Sequence, residues 1–281
     1  MPVAVPETLE AALAALSADP AATVLAGGTD LMVEVNDGGR QLAHVVAIGR
    51  VPELGGVRVE GAEVVIGATT TFATLERPPV ADLVPALAHA ARTVGSPQIR
   101  NAATIGGNLG TSSPAGDSLP VLLALGATVE AAGIGGRRDI PIAEFFAGPK
   151  RSTLASGELV VAVRVPVHRG PQDYLKVGVR NAMVIAVASL AIVVDLDAHT
   201  VAVGLGSVGP TPLAAPDACK WLTTRATWRA DGFEVSPDEV AEFGDRVGAE
   251  ARPIDDHRGT AEYRRHAVSV MARRALRRCV T

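Results

Sequence analysis

Aromatic residues make up only 3% of the 281-residue chain, so any core must be packed with alanine, valine and leucine, which the 48% hydrophobic content supplies. Cysteine is nearly missing. Cys219 and Cys279 stand far apart without C-x-x-C spacing, which excludes a disulfide framework or a cysteine-held cluster. Among the 26 basic residues only Lys150, Lys176 and Lys220 are lysines, so a lysine in a special place is worth noting. No apolar run nears the roughly 18 residues that a membrane span requires. The start, "MPVAVPETLE", lacks the basic head and apolar stretch of a secretory leader, which predicts a cytoplasmic protein. A net charge of −4, with basic residues not interleaved with aromatics, argues against nucleic-acid binding. The six histidines show no H-x-x-x-H or H-E-x-x-H spacing, and no G-x-S-x-G elbow occurs. Neither a metal site nor a catalytic acid–base pair is predicted.

What is present is glycine at particular places. "LAGGTDL" (25–31) follows an apolar run, 22–26, that reads as a short buried strand. Gly27 and Gly28 permit backbone angles closed to other residues. Thr29 and Asp30 are good N-caps for a helix carrying Leu31, Met32 and Val35. A strand that turns through glycines into a helix N-terminus leaves backbone N–H groups unpaired and facing outward, an arrangement suited to a phosphate. The spacing is neither G-x-G-x-x-G nor G-x-x-x-x-G-K-[ST]. "TIGGN" (104–108) repeats the logic inside a polar stretch, "GSPQIRNAATIGGNLGTSSPAGDSLP", that shows no periodic pattern and reads as a long functional loop. A glycine pair alone is ordinarily a tight turn, but two such loops can converge on one diphosphate, with Thr29, Thr104, Asn108 and Thr111 adding side-chain donors. Asp117 would be repelled by a diphosphate and is placed on a ribityl or ribose hydroxyl instead.

Elsewhere, Leu9, Leu13 and Leu16 mark a first helix ending before Pro20, 45–48 is a short strand, and 57–60 with 64–68 form a hairpin around Gly61. A helix is predicted over 82–94, and another begins at Asp117 or Ser118, with Pro120 in its first turn and Gly126 as its stop. Runs at 158–166, 174–180, 185–195 and 201–207 read as strands, with "DLDAHT" as a turn; helical pattern dominates beyond about Pro237. The last helix carries Val268, Met271, Ala272, Ala275, Leu276 and Cys279 as one apolar stripe, opposite Arg273, Arg274, Arg277 and Arg278. That basic side is expected to be a solvated face at the helix C-terminus, capable of meeting an acidic partner.

"LAGGTDL", "GSPQIRNAATIGGNLGTSSPAGDSLPVLLALGA" and "RGTAEYRRHAVSVMARRAL" resemble the FAD-binding medium subunits of the xanthine dehydrogenase and carbon monoxide dehydrogenase family, the molybdenum hydroxylases. The likeness extends through "FFAGPKRSTLASGELVVAVRVP", "YLKVGVRNAMVIAVASLAIVV" and "LGSVGPTPLAA", nearly the whole chain. It implies an α+β protein: a two-part p-cresol methylhydroxylase-type FAD domain over 1–168 (parts at about 1–55 and 56–168), then a C-terminal α+β domain of three strands and helices over 169–281. The phosphates would be those of FAD. The resemblance places the first family loop on Leu25, Ala26, Gly27, Gly28, Thr29, Asp30 and Leu31, with backbone contacts from Ala26 to Asp30. A second set falls on Ala103, Thr104, Gly107, Asn108, Gly110, Thr111, Gly116 and Asp117. Val94 and Gly95, and the apolar pair Leu159 and Val160, match segments beside the flavin or adenine. Lys176 matches a lysine near the flavin ring, where a cation favours electron density at the N1–C2=O side. Val94 is aliphatic where some relatives carry an aromatic residue. The implied function is electron transfer: from an iron–sulfur small subunit, fed by a molybdenum-cofactor large subunit, through FAD to an external acceptor. A free-standing FAD oxidoreductase with its own substrate pocket and a non-catalytic scaffold subunit are the rival classes. A yellow purified protein would discriminate against the scaffold.

Overall fold

The computed structural model describes residues 2–280. Its first unit is a small parallel sheet in which Val45–Ala47 lies between Val3–Ala4 and Thr23–Leu25. The Leu9–Ala18 helix covers it, capped by the Thr8 hydroxyl, which accepts from the Ala11 N–H. Leu9, Ala12 and Leu16 enter a core shared with Leu54, Val65 and Val161. The second unit is a five-stranded antiparallel sheet ordered Val57–Glu60, Glu63–Gly67, Leu159–Pro166, Thr128–Gly133, Gly136–Pro141. The expected hairpin turns at Gly61, whose φ of 62° is one that glycine adopts freely.

Short helices pack on this sheet. The helix predicted over 82–94 is two, Val80–Leu83 and Pro85–Thr93. Pro85 drives Val84 out of the helical region (φ −138°, ψ 60°), because the residue before a proline clashes with its ring when helical. The stretch expected to be a long loop is largely helical, with helices at Pro97–Ala102 and Ile105–Thr111. Glycine had diluted the apolar signal, but Ile105 and Leu109 are fully buried and hold the second helix to the core. The strand before Gly27 is shorter and only half-buried, and the Leu31–Asn36 helix buries none of its residues.

The C-terminal sheet has four strands rather than three: Gln172–Val177, Ala188–Asp195, Thr200–Gly206 and a short Leu213–Ala214. A helix at Pro216–Thr223, unforeseen in the sequence, precedes Pro237–Glu250 and Ala261–Cys279. All six residues of the predicted apolar stripe on the last helix are buried. On its other side Arg273 binds Asp245 and Arg278 binds Asp173, while Arg274 and Arg277 face solvent.

Strand alternation sends the two faces of this sheet into different cores. Leu190, Ile192 and Val194 pack with the C-terminal helices. Ala191 and Val193, with Tyr174, pack among the residues of the five-stranded unit. The fold is thus α+β, with a C-terminal sheet that serves two cores.

Candidate FAD site

The two glycine loops meet. A Cβ placed on Gly27 would lie 1.9 Å from the Ala102 carbonyl oxygen and 3.1 Å from the Ala103 Cα. One on Gly107 would lie 4.0 Å from the Ala26 side chain. Backbone therefore crosses backbone at the junction, which only glycine allows. Gly28 is required for a second reason, a φ of 71°. The N–H groups of Gly27, Gly28, Thr29 and Asp30 find no acceptor among the described residues, so the turn presents neutral donors to whatever lies outside it. Asp30 occupies the N-cap but makes no side-chain capping bond.

In the second loop the Thr104 hydroxyl accepts the Gly107 N–H at 3.0 Å and opens the Ile105–Thr111 helix. The Gly106 N–H donates to the Ala68 carbonyl at 2.8 Å, and a Cβ on Gly106 would fall 2.5 Å from the Ala68 side chain. Gly106 seats this helix on the sheet, whereas Gly107 and Gly110 are more open; nothing lies within 4 Å of a Cβ on Gly110. Asn108 accepts from the Ser118 hydroxyl at 2.7 Å and packs on Gly116, where an added Cβ would sit 3.0 Å from the Asn108 amide. Thr111 follows one turn on and is half-buried.

Beyond Gly116 lies a buried ionic cluster. Asp117 accepts from the Lys176 ammonium at 2.7 Å and from the Tyr174 hydroxyl at 2.8 Å. Lys176 also donates to the Thr93 carbonyl, one residue before Val94. Burial pushes the Asp117 carboxyl up, against the opposing pull of Lys176. Burial and the neighbouring Asp117 push the Tyr174 hydroxyl well above its usual range. Asp117 and Lys176, expected to face a hydroxyl and a flavin respectively, are thus each other's first partners. Gly95 has a φ of 46°, and Arg100 donates to the Val94 and Gly95 carbonyls while pairing with Glu76. The structure therefore strings Ala26–Asp30, Ala103–Gly107, Asn108, Gly116–Asp117, Lys176 and Val94–Gly95 along one continuous line. Leu25 and Leu31 flank its first turn and are half-buried. Leu159 and Val160 are 2% and 6% exposed, packed into separate cores, and offer little side-chain surface to a ligand.

Sequence reasoning passed over three contributors. Lys150 reaches Glu34 on the helix after the first loop at 2.7 Å, while its own N–H donates to the Ser112 carbonyl after the second. Their ion pair holds the Glu34 carboxyl below its ordinary range. Arg100 and Tyr174 are the others. Only Lys150 carried a sequence signal, its rarity.

Residues 1–168 match the family described as FAD binding domain in molybdopterin dehydrogenase, and residues 173–279 match the CO dehydrogenase flavoprotein C-terminal domain. The chain belongs to the FAD-binding medium subunits of the molybdenum hydroxylases. It is 32% identical to the glyceraldehyde dehydrogenase medium chain of Sulfolobus acidocaldarius, over 96% of this chain and 95% of that protein. It is also 32% identical to the carbon monoxide dehydrogenase medium chain of Hydrogenophaga pseudoflava, covering 91% of this chain and 88% of that one. A chain of a crystalline Cu,Mo-CO dehydrogenase superposes with a TM-score of 0.90 at 30% identity, over 99% of this chain and 97% of the other. This medium subunit is accordingly an FAD-binding oxidoreductase component. Its residues fit the cofactor: four consecutive unpaired N–H groups meet a second glycine loop at a crossing too close for any side chain. No helix among the described residues is long and apolar enough to cross a membrane.

Proposed function

We propose that this chain holds FAD between an iron–sulfur small subunit and an external electron acceptor, in a cytoplasmic complex whose molybdenum-cofactor large subunit oxidises the substrate. The observation that carries the reading is the convergence of the two glycine loops next to a buried cluster, Asp117, Lys176 and Tyr174, whose ionisable groups are committed to one another. The Gly27–Asp30 N–H groups would hold the pyrophosphate without placing a cation there. Thr104 and Asn108 shape the opposite wall, and Asp117 fixes the Lys176 ammonium toward the Thr93–Gly95 segment. When bound, FAD supplies a redox group able to exchange electrons singly or in pairs.

Asp117 and the Thr93 carbonyl take two of the three Lys176 N–H groups, so the side chain is held as an oriented positive charge with one N–H left to meet the flavin. Tyr174 and Asp117 are equally engaged, so neither is a free base to abstract a proton from an organic substrate. That favours relay over independent catalysis. The relatives' names as medium chains support a multi-subunit setting.

The test is anaerobic. Isolated flavoprotein mixed with purines, aldehydes or N-heterocycles is expected to keep its flavin absorption while still being reduced photochemically. Partner chains carrying iron–sulfur and molybdenum centres are expected to restore bleaching by one of these substrates. Rapid bleaching without partners would establish a free-standing oxidoreductase instead.

A further inference from the structure

Arg264 is a cationic side chain buried to 4% exposure on the last helix, far from the glycine loops in sequence. Its Nη1 donates to the Ser207 carbonyl at 2.7 Å and its Nη2 pairs with Asp256. Ser207 in turn donates its N–H to the Pro114 carbonyl at 2.8 Å. Pro114 lies in the turn between the Ile105–Thr111 helix and Gly116, the segment that joins the second glycine loop to Gly116 and Asp117. Two features of this path cost the fold stability. Arg264 Nε and the Ser207 hydroxyl are buried without a hydrogen-bond partner among the described residues. Ser207 also holds a φ of 61°, which side-chain-bearing residues seldom adopt. Strain of this kind persists where the surroundings over-determine a conformation, and it concentrates at ligand clamps.

The Thr200–Gly206 strand, which ends just before Ser207, presses on the same segment. A Cβ on Gly204 would lie 1.9 Å from the Pro120 carbonyl oxygen, so strand and loop-following helix touch backbone to backbone. The 114–120 segment is therefore backed by the C-terminal domain at Ser207, at Gly204 and at the Asp117 cluster. Only the first of these depends on a residue outside the sheet.

We propose that Arg264 is a positioning residue for FAD: by fixing the Ser207 carbonyl it holds Ser207 in the left-handed conformation that anchors Pro114 and so sets the second cofactor loop. The inference rests on the FAD placement proposed above. Replacing Arg264 with methionine leaves Ser207 and Asp256 without their cation and frees the loop. Arg273, two and a half turns further along the same helix, pairs with Asp245, also has a buried Nε without a partner among the described residues, and makes no hydrogen bond to the 114–120 segment, which makes it a same-helix control.

Full-length apoprotein is titrated with FAD, following flavin fluorescence, and the visible circular dichroism of the bound flavin is recorded. Arg264→Met is expected to raise the Kd for FAD at least tenfold and to change the flavin dichroism. Arg264→Lys is expected to recover part of both, and Arg273→Met to leave both at wild-type values. A Kd for Arg264→Met within twofold of wild type, or an equal rise in Arg273→Met, overturns the inference. If Arg264→Met does not fold, Asp256→Asn serves, since it leaves the arginine but removes its counter-ion. A rise of at least threefold is then expected, and an unchanged Kd overturns the proposal. Failure of wild-type protein to bind FAD would instead refute the placement on which the inference rests.

Discussion

Replacing Gly27 with alanine adds one carbon atom at the crossing of the two cofactor loops. That Cβ would start 1.9 Å from the Ala102 oxygen and 2.7 Å from its carbonyl carbon. Ordinary contact begins at 3.4 Å, so the loops must separate by about 1.5 Å. Both obstacles are backbone, so no rotamer change relieves them. Overpacking of this kind costs roughly 2–3 kcal/mol of folding free energy. The cost to cofactor binding is larger. A hydrogen bond to a charged phosphate contributes about 1.5–3 kcal/mol, and a shift of this size removes it. Losing two of the four Gly27–Asp30 donors would therefore raise the Kd for FAD by about 10²- to 10⁴-fold. Urea unfolding of the apoprotein and FAD titration, run in parallel, measure the two costs separately. A variant that loses stability but keeps its FAD affinity within threefold would refute the reading of this junction as the diphosphate site.

Lys176→Met is expected to destabilise the apoprotein by about 3–5 kcal/mol, because it strands a buried carboxylate. Lys176→Met combined with Asp117→Asn should recover most of that in urea unfolding, and equal losses in the single and double variants would contradict the pairing. The Cys219 and Cys279 thiols are both pushed up to about 12 by burial, from an ordinary 9.0. The folded state therefore keeps protons that the unfolded chain sheds, so each thiol should erode stability by about 1.4 kcal/mol per pH unit as pH rises from 9 toward 12. Unfolding of wild type and Cys219→Ala compared across that range should show the slope in the wild type reduced by that amount in the variant.

The parts of the site legible in the sequence were those written in local backbone chemistry. A strand, two glycines and a helix start are encoded within seven residues, and the Gly27–Asp30 turn follows from them. The Gly61 hairpin and the apolar stripe from Val268 to Cys279 are equally local. The helix at Ile105–Thr111 was hidden because Gly106, Gly107 and Gly110 lower helix propensity, and tertiary contact with Ala68 restores it. The pairing of Asp117 with Lys176 joins residues 59 apart, and no spacing rule announces such a bond. Asp117 alone suggested a hydroxyl acceptor and Lys176 alone a flavin neighbour; only the fold shows each engaged by the other. Arg264 was invisible for a related reason: among many arginines on a basic helix, nothing in the sequence marks which one turns inward.

The shared C-terminal sheet bears on how such chains diversify. Two recognisable sequence segments invite the view that each is a module, free to be exchanged between relatives. Yet Tyr174, Ala191 and Val193 fill the same core as the strands that carry the FAD half, while their neighbours Leu190 and Ile192 fill the other. A fragment ending near 168 would bare that floor to water and present an apolar face to other chains. A hybrid joined there would mate two surfaces that had drifted apart, with the misfit passing through Tyr174 to Asp117. Exchange at this seam is constrained by packing, so the two halves are expected to have been inherited as a single piece.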